Sequence, residues 1–330
     1  MTAPGRQEAR EASAAEVLVC GPAYCDLLFA GLEALPALGT ERFAQGFLIT
    51  AGGSAITAVA LRRLGRRSAL LADVGADAHG EVVRRVLADE GVETRWLRER
   101  HDAPTPVTAV LSTPGDRAFV TYLAPDAEPP DLDEALAASG ARHLHVGGFP
   151  AALRIPHLVD AARSHGATVS FDPGWDERAL DHPRVRDVAT RCDVLLPSRN
   201  EALRLADLAD DGPDAARRAA TALARLRSDA VTVVKDGVRG AWGAGPDARA
   251  YAAPPPVTPH DPTGAGDVFD AGFLDAWLAG EPLAACLRRG AACGARAVTA
   301  RGGATAAPTA ADLARALAET PNATPWEEPT

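Results

Sequence analysis

No apolar run in this 330-residue chain approaches the ~20 residues that a membrane span needs. The N-terminal stretch MTAPGRQEAREASAAE also lacks the apolar segment of a signal peptide. It reads as a disordered tail over residues 1–15 of a cytoplasmic protein. Cysteine is scarce and odd in number: Cys20, Cys25, Cys192, Cys286 and Cys293 form no C-x-x-C pair and have no histidine at metal-ligand spacing. That excludes a disulfide framework and a zinc cluster, and leaves reduced thiols, with Cys20 and Cys286 as small core residues. Positive charge is in deficit, 34 Lys and Arg against 44 Asp and Glu for a net charge of −10, with no basic stripe of the kind that binds nucleic acid. The sequence has no internal repeat. What these absences leave is a chain whose partners are small molecules.

At 47% hydrophobic and 24% charged, the composition is that of a globular protein, and the length suits one large domain with a small appendage. Short apolar runs at 16–21, 68–75, 143–148, 168–173, 193–198 and 230–237 read as strands. Amphipathic stretches at 54–65, 80–92, 156–166 and 213–228 read as helices between them. This β-then-α order predicts a mostly parallel sheet covered on both faces, over residues 16–320, followed by a C-terminal tail at 321–330. Residues 26–50 and 104–125 break the rhythm. The second contains a hairpin, VTAVLS and AFVTYL around a turn at TPGD, whose alternation puts Phe119 and Tyr122 on opposite faces. A small β-lid from these two segments would close over the carboxyl ends of the strands, where open α/β folds bind ligands. Its exposed apolar face makes a homodimer through the lid the expected assembly.

The densest chemistry lies in DPTGAGDVFDAGF at 261–273. An apolar helical pattern through Phe269, Phe273 and Ala276, ending at Gly280, starts right after a Gly-Ala-Gly turn. Consecutive backbone N–H groups in such a turn form a nest for an anion, and the helix N-terminus adds unpaired donors and partial positive charge. A pure phosphate loop needs no acid, so Asp267 in the first turn reads as a general base beside a phosphoryl group, or as a favourable first-turn carboxylate.

DPTGAGDVFDAGFL resembles the C-terminal signature D-T-x-G-A-G-D-x-F-x-x-G of the ribokinase-like (PfkB) carbohydrate kinase family, departing mainly at Pro262. GGSAITAVALRRLG (52–65), GPAYCD (21–26), LLPSRNEA (195–202), VVKDGVRGAW (233–242) and AVTARGGATAAPT (297–309) resemble its other motifs, so the similarity runs from about residue 16 to about 320. It implies a ribokinase-like, Rossmann-type three-layer α/β/α domain with a small β-sheet lid. It also implies ATP and Mg²⁺ as co-substrate and metal, K⁺ as a monovalent cation, and a sugar or nucleoside as acceptor.

The roles the resemblance implies are these. Asp267 is the base, and Gly264, Ala265 and Gly266 form the anion hole. Asp26, Gly52, Gly53 and Thr57 line the acceptor pocket. Glu201, Lys235, Gly237 and Gly303 face the nucleotide and its metal. Asp261 and Thr263, with carbonyls at Val298, Arg301 and Gly303, form the K⁺ site. Neither a Walker A motif nor an H-R-D catalytic loop is present. Departures stand beside the matches. Thr57 replaces an asparagine and is expected to leave room and a methyl facing the pocket. Ser198 replaces the Asn of N-x-x-E. Lys235 stands where Thr is common, as a cation near the phosphates or a solvated strand-end lysine. Asp172, in FDPGW, resembles the family's D-x-N with Gly174 in place of Asn, or caps a turn. A sensor that keeps the fold without catalysis is the reading from another class, disfavoured by the intact Asp267.

Overall fold

The strands, in chain order, are β1 (Val17–Cys20), β2 (Ala23–Ala30), β3 (Gly46–Gly53), β4 (Ser68–Gly75), β5 (Leu97–Arg100), β6 (Val107–Ser112), β7 (Arg117–Tyr122), β8 (His143–Gly147), β9 (Thr168–Asp172), β10 (Val194–Leu195), β11 (Val231–Lys235), β12 (Ala241–Ala244), β13 (Arg249–Ala252) and β14 (Thr324–Pro325). This is a computed structural model that describes residues 15–113, 117–124, 128–210 and 212–327. The expected N-terminal tail, all but its last residue, and most of the TPGD turn lie outside the described residues.

Ten strands form one sheet in the order β14-β13-β12-β11-β10-β9-β8-β1-β4-β5. From β5 to β11 neighbours pair parallel, and β12 to β14 add an antiparallel edge. Parallel strands buried on both faces explain why their sequences are continuously apolar. In β1, Val17 and Val19 enter one hydrophobic core, with the helices Ser54–Arg63, Ala265–Leu278 and Leu283–Ala297; Leu18 and Cys20 enter the other, under the helices that follow β8 to β10. The ribokinase-like three-layer architecture is therefore present. Two expectations change. The stretch 193–198 contributes only the two-residue strand β10 and an isolated bridge at Ser198, and the expected C-terminal tail instead closes the sheet at β14. There Trp326 packs edge-on to Trp242 and donates to the Gly243 carbonyl at 3.2 Å.

His143 and His145, alternate residues of β8, are buried and bonded at 2.8 Å to the hydroxyls of Thr168 and Ser170. Burial pushes them down to about 3 and about 4, so both are neutral core histidines. All five cysteines are buried and free. Among the described residues no helix is long and apolar enough to cross a membrane.

The lid is a four-stranded sheet, β3-β2-β6-β7, with β6 and β7 as the expected hairpin. Its register sets one row as Thr50–Asp26–Thr108–Thr121. The same face carries Leu48 and turns toward the loop 301–303, since a Cβ on Gly302 would lie 2.6 Å from Leu48 Cδ2. The opposite face carries Phe47, Ile49, Val120 and Tyr122, all exposed. β3 runs straight into the helix Ser54–Arg63, so the lid and the domain share one continuous segment.

The helix Ala265–Leu278 is buried from Val268 to Ala276, as its almost all-apolar circumference dictates. It packs against Leu283–Ala297 through small residues. A Cβ on Gly272 would lie 2.5 Å from Cys293 Sγ and 2.8 Å from the Arg289 carbonyl. Gly272→Ala therefore forces these helices apart and should destabilise the fold by about 1–3 kcal/mol. Chemical denaturation checks this, and an unchanged midpoint would show that the pair tolerates the methyl.

Candidate active site

The turn before the buried helix is held by Asp261. One of its carboxylate oxygens accepts the Thr263 amide at 3.0 Å and the Thr263 hydroxyl at 2.6 Å; the other accepts the Gly302 amide at 3.0 Å. Gly264 has φ +74°, and a Cβ there would come within 2.6 Å of Gly303 Cα, so this position admits glycine alone. The loop 301–303 and the Gly-Ala-Gly turn thus close on each other at the N-terminus of the helix. Of the three amides the sequence places around an anion, that of Ala265 turns back to the Pro262 carbonyl at a long 3.3 Å.

Asp267 is half-buried in the first turn. Burial, and after it the charge of Asp172, pushes its carboxyl up to about 7, against the opposing pull of Lys235. Asp26, on the lid face, is buried and is likewise pushed up to about 7, first by burial and then by Asp267 and Asp261. The two acids read from separate motifs therefore feel each other across one cleft, between the lid and the helix N-terminus. The Asp26 carboxylate lies where a Cβ on Gly52 would be, which is why this position is glycine, and Gly53 forms the N-cap of the next helix.

Tyr24 belongs to this site and the sequence reading missed it. Its ring lies 2.6 Å from where a Gly53 Cβ would stand. Burial, then Asp26 and Asp267, raises its phenol above the ordinary tyrosine range. The available signal was spacing: Tyr24 is two residues before Asp26 on one strand, hence on the same face.

Thr57 corrects an expectation. It is fully buried, and its hydroxyl donates to Asp267 Oδ1 at 3.4 Å instead of presenting a methyl to an open pocket. Lys235 corrects another. It is not solvated: its ammonium pairs with Asp172 at 2.8 Å and with both oxygens of Asp270 at 3.0 and 3.1 Å. Asp172 is thus an ion-pair partner at the end of β9, not only a turn residue.

Gly237, expected to face the nucleotide, is exposed, has φ +56° and has nothing within 4 Å of where a Cβ would stand. Glu201 is buried and accepts the Ser198 amide at 2.7 Å, closing a capping box in which Ser198 replaces the asparagine. Burial and Asp172 push Glu201 up to about 7. Among the described residues no three His, Cys, Asp or Glu side chains converge as a metal site. Buried Glu201 is the one carboxylate that the family resemblance assigns to a Mg²⁺ carried on nucleotide phosphates.

The K⁺ set fits less well. The Val298 carbonyl accepts both the His260 and Asp261 amides, at 2.7 and 3.1 Å, which uses its two lone pairs. Asp261 likewise accepts three internal donors, so two of the five expected K⁺ ligands, Asp261 and the Val298 carbonyl, are already engaged within the protein. The Arg301 side chain instead reaches the lid, where a Cβ on Gly46 would lie 2.6 Å from its Nη1.

The chain is similar to known proteins over most of its length. The family model described as "pfkB family carbohydrate kinase" matches residues 37–310. A fructokinase of Klebsiella pneumoniae is 30% identical over 289 residues, covering 81% of this chain and 91% of its own. A nucleoside kinase of Methanothermobacter thermautotrophicus is 30% identical over 246 residues, covering 72% and 74%. The structure of an Arabidopsis thaliana ribokinase, solved with ribose and ATP, superposes with a TM-score of 0.78 over 92% of this chain and 99% of that one, at 22% identity. The Gly-Ala-Gly turn, Asp267 and the lid strands β3, β6 and β7 lie inside the matched region, β2 with Asp26 just precedes it, and the chain belongs to the pfkB family of carbohydrate kinases, phosphotransferases with a hydroxyl acceptor.

Proposed function

We propose that this protein transfers the γ-phosphoryl group of ATP to a primary hydroxyl of a sugar or sugar-like acceptor, with Asp267 as the base. The observation that carries this reading is Asp267 itself: a half-buried carboxyl, poised near 7, at an amide-lined helix N-terminus and facing Asp26. Asp26, Tyr24 and the amides near Gly52 and Gly53 orient the acceptor, and Thr57 holds the carboxylate in place. The acceptor hydroxyl gives its proton to Asp267 as its oxygen bonds to the γ-phosphorus and the bond to the β–γ bridging oxygen breaks. The N–H groups of Gly264 and Gly266 meet the charge on the phosphoryl oxygens. Glu201 would meet Mg²⁺, which supplies neutralisation of phosphate charge when bound.

A second reading within the family has its own support. A cavity of about 170 Å³ opens beside Pro22, with Pro104, Pro106, Leu123, Phe149 and Leu153 as apolar walls and Asp73, Arg100 and Arg154 as its charged lining. Its size and apolar walls suit a ring attached to a sugar, as in a nucleoside. A panel of pentoses, hexoses, sugar acids and nucleosides, read by ADP release, decides between the two. Turnover on none of them would remove the reading.

The apolar outer face of the lid, Phe47, Ile49, Val120 and Tyr122, supports a homodimer formed through it. Light scattering should give two copies for the natural chain and one for Ile49→Asp with Val120→Asp. A single-copy mass for the natural chain would refute the assembly.

Asp267→Asn keeps the shape but not the base, so kcat should fall by about 100-fold or more with nucleotide binding retained. In the natural protein activity is lost as pH falls through about 7, where Asp267 gains its proton. Stability runs the other way. A carboxyl raised in the fold contributes stability that is present below its ordinary range, about 4, and is lost as pH rises to about 7. Asp267→Asn should therefore raise Tm at about pH 8 and leave it unchanged at about pH 4. Normal turnover in this variant would take Asp267 out of the mechanism.

A further inference from the structure

Lys235 ends β11 directly beneath the catalytic turn: a Cβ on Gly266 would come 3.4 Å from its Nζ. Its side chain is only 11% exposed, and its three donors are spent on Asp172 at 2.8 Å and on the two oxygens of Asp270 at 3.0 and 3.1 Å. Asp270 has no exposed surface and follows Asp267 by three residues on the same helix, so the two carboxyls are neighbours on one face. Lys235 thus ties the first turns of the catalytic helix to two strands of the sheet, β9 through Asp172 and β11 through its own backbone. A lysine with its donors used in this way does not reach out to a phosphate.

We propose that Lys235 is a positioning residue for the base: its ammonium, clamped between Asp172 and Asp270, fixes the start of the helix against the sheet and supplies the positive charge that lets Asp267 ionise among other acids. This rests on reading Asp267 as the base. The groups that face Asp267 are Tyr24 and Asp26 from β2, Thr57 from the helix after β3, Asp172 from β9, Lys235 from β11 and Asp270 from its own helix. Glu201, from the helix after β10, and neutral His145, from β8, complete the surroundings of the ammonium. Of these only Lys235 carries positive charge. Without it, burial and Asp172 continue to oppose ionisation of Asp267, and only the weaker backbone and Thr57 hydrogen bonds act the other way.

The test is the pH dependence of kcat at saturating acceptor and MgATP for the natural protein, Lys235→Met and Lys235→Arg. Lys235→Met should move the acid limb upward by about one unit, so that kcat falls about tenfold below the limb and recovers at alkaline pH, with KM for the acceptor unchanged. Lys235→Arg should keep the limb in place. A uniform loss of kcat across all pH values, with the limb unmoved, would show a structural role only and overturn the proposal. Should Lys235→Met fail to fold, Lys235→Met with Asp270→Asn removes one buried acid together with the cation. Its limb should still be raised, because Asp172 remains, and an unmoved limb there also overturns the proposal. Normal turnover in Asp267→Asn would refute the base itself; an unmoved limb in Lys235→Met alongside inactive Asp267→Asn would refute the role of Lys235 alone.

Discussion

Four carboxyl groups, Asp172, Glu201, Asp267 and Asp270, crowd around a single ammonium where the central helix meets the carboxyl ends of the strands. Each would be cheaper in water, and each is pushed away from its ordinary ionisation or tied into a pair. Lys235 is itself raised above the ordinary lysine range by Asp172, Asp270 and Glu201 working against its burial. The rest of the architecture serves to hold that imbalance. The helix carrying two of the acids is buried along most of its length, with Asp275 near its end paired to Arg66 and Arg289, so its first turn cannot swing outward to hydrate the charge.

Across the cleft the lid repeats the theme with hydroxyls. The row Thr50–Asp26–Thr108–Thr121 puts one acid among three threonines, with Thr108 and Thr121 bonded at 3.2 Å. Because β3 continues directly into the helix Ser54–Arg63, and Ser54 of that helix donates to the Gly147 carbonyl at 2.9 Å, the lid is tethered at its base to β8. The inner face of the lid is therefore set by two short tethers and a register, and Leu48 and Arg301 bring it against the loop 301–303.

Much of this was legible in one dimension. Continuous apolar strands announced a parallel sheet covered on both faces, and the Gly-Ala-Gly turn before an apolar helix announced an anion site with an acid in its first turn. Gly52, Gly53 and Asp26 were readable as one cluster through the family resemblance. Other residues were silent because their partners are distant in sequence. Thr57 and Asp267 are 210 residues apart, and Lys235 and Asp172 63 apart, so no local pattern distinguishes a pocket threonine from one that holds the base, or a solvated lysine from a buried one. The C-terminal residues looked like a tail because a two-residue edge strand has no periodicity to detect.

By itself the sequence determined the alternation of strands and helices, the glycine positions where backbone must pass close, and the chemical types available for phosphoryl transfer. Those properties depend on side-chain period and on the presence or absence of a Cβ, both local quantities. Only the tertiary structure decided which acids share a cleft, which are neutralised by Lys235, and which donors Asp261 and Val298 have already spent. Burial and pairwise charge act through space over a few ångströms, and that proximity exists only once the sheet has brought β2, β9, β11 and the central helix together.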